Sequence, residues 1–198
     1  MIAIIDYGMG NLRSVQKALE FVGYEAIITN DVKEMERADK LLLPGVGAFG
    51  DAINTIRSKR YDDIIYNAVK KDKPFLGICL GMQLIFEKSY EYGEHTGLGL
   101  IRGSINLLPD DVKRPHIGWN NLNIKKKSPL FDNIGESPYV YFVHSYYLKT
   151  DEPVISATTD YGSEIQVAVQ KNNIFALQFH PEKSGDIGLQ ILKNFGGL

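Results

Sequence analysis

The chain has 198 residues, 44% hydrophobic and 23% charged, the size and balance of one globular unit with a proper core. A formal net charge of −2 gives no global reason to expect nucleic acid, and no apolar run approaches the length of a membrane span. One cysteine cannot close an internal disulfide, so the chain does not depend on an oxidising compartment.

Met1-Ile2-Ala3-Ile4-Ile5-Asp6 has no basic n-region and no cleavage pattern; it reads as a first strand, and a cytoplasmic protein is expected. The strand, Ile2 to Asp6, ends at the turn Tyr7-Gly8-Met9-Gly10. A helix follows from about Asn11, with Leu12, Val15, Leu19 and Val22 on one face and Gly23 as its stop. Ala26 to Thr29 is a second strand, and Asp31 is placed to cap a short helical turn through Glu36. Lys40 to Leu43 is a third strand, closed by Pro44. After a glycine loop, Asp51 to Ser58 and Asp62 to Lys71 read as helix, anchored by Ile64, Ile65 and Val69. Lys73 to Phe86 then reads as a short apolar strand that turns sharply into a helix. This alternation predicts a parallel sheet with covering helices.

The second half changes character. Ile101–Leu107, Leu122–Lys126, Tyr139–Leu148, Val154–Thr159, Ile165–Val169 and Ile174–Phe179 read as strands, and Asn172-Asn173 signals a hairpin between the last two. A final helix spans about Asp186 to Asn194. The expected fold is α/β: three layers, a mostly parallel central sheet with flanking helices, and an antiparallel extension. No repeat or Pro/Ser-rich linker divides it, so residues 1–198 are read as a single domain.

Cys79 sits at the sharp turn, framed by Gly77 and Gly81. Gly-x-Cys-x-Gly after a strand has the shape of a nucleophile elbow, in which small neighbours let strand and helix approach closely. A thiolate there would gain from the positive end of the following helix; the alternative is a buried cysteine that packs as a small hydrophobe. Of the four histidines, His180 ends an apolar strand in His-Pro-Glu. Proline keeps the preceding residue extended, and residues two apart then share a side, so Glu182 can orient the His180 ring toward a thiol. That is the base-plus-orienter logic of a catalytic triad, against a histidine that merely closes a strand. The oxyanion donors would be the Leu80 backbone N–H and the loop Leu43 to Phe49, whose glycines can turn N–H groups into the site.

Gly45-Val46-Gly47-Ala48-Phe49-Gly50 matches Gly-x-Gly-x-x-Gly letter for letter. A dinucleotide fingerprint also needs a helix starting inside the motif, the first βαβ unit and an acid about twenty positions on; the next strand here ends at Cys79. No cofactor is expected, and one Cys with scattered His gives no metal-ligand spacing. Lys125-Lys126-Lys127 reads as a solvated strand end, and His95 as an exposed loop residue. Aromatics crowd both faces of Tyr139 to Tyr147, so His144 is either a satisfied core histidine or part of a substrate-pocket wall.

Together, Pro44-Gly45-Val46-Gly47, Gly77-Ile78-Cys79-Leu80-Gly81-Met82-Gln83 and His180-Pro181-Glu182 resemble the triad-type, class I glutamine amidotransferases. Asp6 to Leu12, Leu43 to Asp51, Pro115 to Asn120 and Phe142 to Tyr146 are similar to the glutaminase subunits of imidazole glycerol phosphate synthase, in histidine biosynthesis. Lys113-Arg114 is more basic than that pattern. The resemblance implies that Cys79 attacks the glutamine amide, His180 moves the proton and Glu182 orients the ring. It implies oxyanion N–H groups from Gly47, in the Gly45-Val46-Gly47 loop, and from Leu80, next to the nucleophile. It places Gln83 and Glu91 at the amino-acid end of the substrate, with the backbone of Ser145 and Tyr146 on its carboxylate. It further implies ammonia transfer to a (β/α)-barrel cyclase subunit, with Trp119, Tyr141 and Lys183 near that interface. The residues leave room for a glutaminase of another synthase, a cysteine hydrolase on the same scaffold, or a binding module with a relic elbow.

Overall fold

The computed structural model describes residues 1–198. Its strands are β1 (Ile2–Ile5), β2 (Ala26–Thr29), β3 (Lys40–Leu43), β4 (Phe75–Ile78), β5 (Phe86–Ser89), β6 (His95–Thr96) and β7 (Ile101–Leu107). They continue as β8 (His116–Asn121), β9 (Asn123–Ile124), β10 (Tyr139–His144), β11 (Tyr146–Lys149), β12 (Ile155–Tyr161), β13 (Ser163–Lys171) and β14 (Ile174–Leu177). The helices are α1 (Leu12–Phe21), α2 (Val32–Arg37), α3 (Phe49–Ser58), α4 (Tyr61–Lys70), α5 (Leu80–Leu84) and α6 (Gly185–Gly196).

β2-β1-β3-β4-β14 form a parallel block. From β14 the sheet continues antiparallel through β13 and β11 to β7. The parallel strands are short and apolar because both their faces are covered. Alternation decides which face each residue serves: Ala3 and Ile5 of β1 enter one hydrophobic cluster, Ile2 and Ile4 the other. Side chains of α2, α3, α4 and α5 complete the first cluster; Val15, Ala18 and Leu19 of α1 and Ile191, Leu192 and Phe195 of α6 complete the second. This is the three-layer arrangement expected. Each fully buried aliphatic or Phe side chain contributes about 1.5–3 kcal/mol, so the two clusters pin the sheet from both sides. Asp31 caps α2 as read from sequence, accepting from the Lys33 N–H at 2.8 Å. No helix is long and apolar enough to cross a membrane.

Four segments depart from expectation. The helix after Cys79 is only five residues long, and the chain re-enters the sheet at once as β5. So short a helix sums few peptide dipoles, and its field at Cys79 is correspondingly small. The strand expected over Leu122–Lys126 is confined to Asn123–Ile124, while His116–Asn121 forms β8. Tyr139–Leu148 breaks at Ser145: β10 leaves the main sheet to pair antiparallel with β8, and β11 rejoins it. His95 lies in β6, half-buried, its ring centroid 6.2 Å from that of Phe49, rather than in an exposed loop.

Candidate active site

Strand β4 delivers Cys79 to the carboxyl edge of the parallel block, where open α/β sheets place their ligands. Cys79 has φ 55° and ψ −111°, a strained conformation for a side chain with a Cβ. It is held by its N–H, which donates to the Leu177 carbonyl of β14 at 2.7 Å. The flanking glycines are required by space. A Cβ on Gly77 would stand 2.7 Å from the Gly81 carbonyl oxygen, and one on Gly81 would overlap the Leu43 carbonyl oxygen.

The loop after β3 sits on this elbow: a Cβ on Gly45 would collide with the Tyr7 hydroxyl and lie 2.9 Å from Leu80 Cβ. Gly47 has φ +99°, open to glycine and strained for other residues. Helix α3 begins at Phe49, two residues before the expected Asp51, so a helix does start inside the Gly-x-Gly-x-x-Gly match. The remaining objections to a dinucleotide fingerprint stand: β3 is not the first βαβ unit, and β4 runs into Cys79 rather than an acid. The Glu91 carboxylate accepts the Phe49 N–H at 2.6 Å and so caps α3 from across the pocket. Burial raises the Glu91 carboxyl above its ordinary range, and that hydrogen bond partly opposes the rise.

His180 follows β14 and is buried. Its backbone is extended, as proline requires, but Pro181–Lys183 forms a turn of 3₁₀-helix. Glu182 therefore reaches the ring through that turn, not through strand alternation, and its Oε1 lies 2.8 Å from His180 Nδ1. The Ser184 hydroxyl donates to the His180 carbonyl at 2.6 Å and accepts the Tyr141 N–H at 2.9 Å, locking the turn to β10. Nε2, on the far side of the ring, is buried without a hydrogen-bond partner. Burial alone would push this imidazole down; interactions with the Cys79 sulfur and the Glu182 carboxylate outweigh it and hold it up at about 10.

Cys79 and His180 line one cavity of about 490 Å³. Of the other residues singled out from sequence, Val46, Gly47, Leu80, Gln83 and Glu91 line it too, as do Ser145 and Tyr146 at the β10–β11 break. Gly45 and Glu182 stand behind the wall. Gln83 is buried, its amide donating to Gln178 Oε1 at 3.0 Å and to the Tyr146 carbonyl at 3.3 Å. Gln178 in turn points its amide at Cys79 Sγ, 3.8 Å away. Gln178 was not foreseen; it is a polar residue with no exposure, inside the apolar run before His180. Val143 completes the wall from within the Tyr139–Tyr147 run, and Tyr92, Leu107, Arg114 and Pro115 are brought in by chain segments with no local signal for it.

His144 proves both buried and pocket-lining. Its Nδ1 lies 2.9 Å from the Tyr146 carbonyl, which can only accept. Its Nε2 therefore accepts from His116 Nδ1 at 3.1 Å. His116 is sandwiched between the rings of Phe142 and Tyr161. Burial pushes His116 down to about 4 and His144 to about 3. Away from the cavity, Trp119 of β8 pairs with Tyr141 of β10, ring centroids 6.1 Å apart. Lys183 Nζ stands 6.0 Å from the Tyr141 ring centroid. Trp119 is 56% exposed.

The profile described as Glutamine amidotransferase class-I matches residues 3–196. Solved structures agree on the fold. A crystal structure of a glutamine amidotransferase superimposes with a TM-score of 0.78 over all of both chains at 20% identity. PurLQS from Thermotoga maritima gives 0.75 over 98% of this chain and 96% of that one, also at 20%. The chain belongs to the class I glutamine amidotransferases. Within the class, it is 55% identical to the imidazole glycerol phosphate synthase subunit HisH of Caldanaerobacter subterraneus subsp. tengcongensis, over 100% of this chain and 98% of that one. It is 53% identical to the HisH subunit of Aquifex aeolicus, over 97% and 94%. Its particular family is therefore that of the HisH subunits of imidazole glycerol phosphate synthase.

Proposed function

We propose that this chain hydrolyses glutamine to glutamate and ammonia and hands the ammonia to a (β/α)-barrel cyclase subunit in the histidine pathway. That partner would use it to make imidazole glycerol phosphate and an aminoimidazole carboxamide ribonucleotide. The observation that carries the chemistry is Cys79 on a strained elbow, sharing one cavity with His180, whose Nδ1 lies 2.8 Å from Glu182.

Cys79 Sγ attacks the side-chain amide carbon, and the oxyanion is received by the N–H groups of Gly47 and Leu80. His180 gives its proton to the departing nitrogen, and ammonia leaves as the C–N bond breaks. A water, deprotonated by His180, then cleaves the thioester and releases glutamate. Glu182 keeps the ring oriented and favours its charged form. Glu91 and Gln83 face the amino-acid end of the substrate, and the backbone of Ser145 and Tyr146 its carboxylate. Gly45 and Val46 set the angle of the oxyanion loop. A glutamine-sized ligand fits a cavity of about 490 Å³.

The partner surface is Trp119, Tyr141 and Lys183. An exposed Trp packed against a Tyr is the composition of an interface anchor, and Lys183 stands over the same Tyr ring. A cytoplasmic location fits such an enzyme. Activity is conditional: glycine makes a peptide rotation at Gly45–Gly47 cheap, and partner binding would set the loop. The test is glutamate release from glutamine with and without the cyclase and its nucleotide ligand. Strong stimulation by both together is expected; rapid turnover by the chain alone would remove the conditional step. Stimulation by a different synthase instead would reassign the partner.

A further inference from the structure

We infer that Arg114 binds the α-carboxylate of the substrate, an inference that rests on the glutaminase reading. Apart from the Cys79–His180 pair, the acid and base that give the cavity wall its charge are Glu91 and Arg114. A wall with one carboxylate, one guanidinium and a nucleophile fits a zwitterionic amino acid with an electrophilic side chain. The ammonium goes to Glu91, the carboxylate to Arg114 and the amide to Cys79.

The topology brings Arg114 there. The β8–β10 register ends at the pair His116 and His144. One and two residues outward, Pro115 and Arg114 arrive beside Ser145 and Tyr146, and all four line the cavity. Burial raises the Tyr146 phenol above its ordinary value, Glu91 raises it further, and Arg114 opposes the rise, so the phenol lies within the fields of both charges. The guanidinium is held in place. Nη1 donates to the Leu108 carbonyl at 3.1 Å and Nη2 to Asp110 Oδ1 at 2.7 Å. Those bonds use two of five N–H donors, and Asp110 is almost fully exposed, so the pair leaves most of the guanidinium charge unspent. A planar fork with free donors suits a carboxylate. Arg114 is also where the sequence is more basic than the family resemblance leads one to expect.

The test uses the assembled synthase, with glutamine and its α-carboxamide, glutaminamide, as substrates. Arg114→Ala should raise KM for glutamine roughly tenfold to hundredfold, the size of a lost hydrogen bond to a charged group, with kcat and the kinetics of the carboxamide little changed. Arg114→Lys should recover part of the loss. Equal losses on both substrates, or an unchanged KM for glutamine, would overturn the assignment. Labelling of Cys79 in the assembled synthase separates a folding defect from lost recognition. Arg114→Ala should slow 6-diazo-5-oxonorleucine, which carries the amino-acid head, and leave iodoacetamide unaffected. Equal slowing of both reagents contradicts the inference. An assembled wild-type synthase that neither hydrolyses glutamine nor reacts with the diazoketone would sink the glutaminase reading, and the Arg114 assignment with it.

Discussion

Two histidines on the wall of one cavity, both buried, are driven in opposite directions. His144, on β10, contacts a carbonyl and a second imidazole, and burial drives it down to about 3. His180, after β14, has a carboxylate 2.8 Å from Nδ1 and a sulfur in its field, and stands at about 10. Burial lowers both; the partner decides the outcome. Burial thus keeps the β8–β10 histidine pair neutral, while the turn after β14 holds a histidine whose carboxylate and sulfur neighbours favour its charged form. Only the second is suited to protonate a leaving amine.

The largest effects should come from breaking the charged side. Cys79→Ala and His180→Ala should each lower glutamate release by about a thousandfold or more in the assembled synthase. Glu182→Gln keeps the shape but removes the charge that favours imidazolium, and should cost about 10² to 10⁴ in kcat. His144→Gln, at the same cavity, should cost far less, because nothing in the reaction needs its proton; steady-state kinetics of the two variants side by side would break the comparison if their losses matched.

Next in size is the scaffold beneath the elbow. Gly81→Ala would drive a Cβ into the Leu43 carbonyl, and chemical denaturation should report a loss of about 2–4 kcal/mol. The local parts of this site were legible in the chain for that reason. Gly77, Cys79 and Gly81 lie within five residues, and their spacing states a steric requirement. His180 and Glu182 are likewise neighbours, although the turn that joins them is not the extended segment anticipated. The Asp31 cap and the alternation of strand and helix are local too. Residues brought in from a distance carried no such signal. Strand β8 is polar and interrupted by Gly118, with no period-two pattern to announce it. Gln178 and Arg114 acquire their roles only when β14 and β8 pack beside the elbow. The break at Ser145 hides inside an unbroken aromatic run.

The smallest effect is on stability against pH, and it has two arms of opposite cause. His116 and His144 have folded values below the ordinary 6.5, so the unfolded chain binds more protons there. Their contribution is intact above pH 6.5 and is lost as pH falls toward 4 for His116 and toward 3 for His144. His116→Gln should flatten that acid arm in thermal melts at pH 7 and 4.5. His180 is raised, so its contribution is intact below 6.5 and is lost as pH rises through about 10. Cys79→Ala should weaken the alkaline arm and leave the acid arm unchanged.

His180 is expected to carry a proton where His144 does not, and ¹⁵N NMR of the imidazole nitrogens reads this. At pH 7.5 His180 should be protonated on both nitrogens, with His144 and His116 each protonated on Nδ1 alone and neutral until the solution is well acid. A neutral His180 at pH 7.5, or a charged His144, would contradict it.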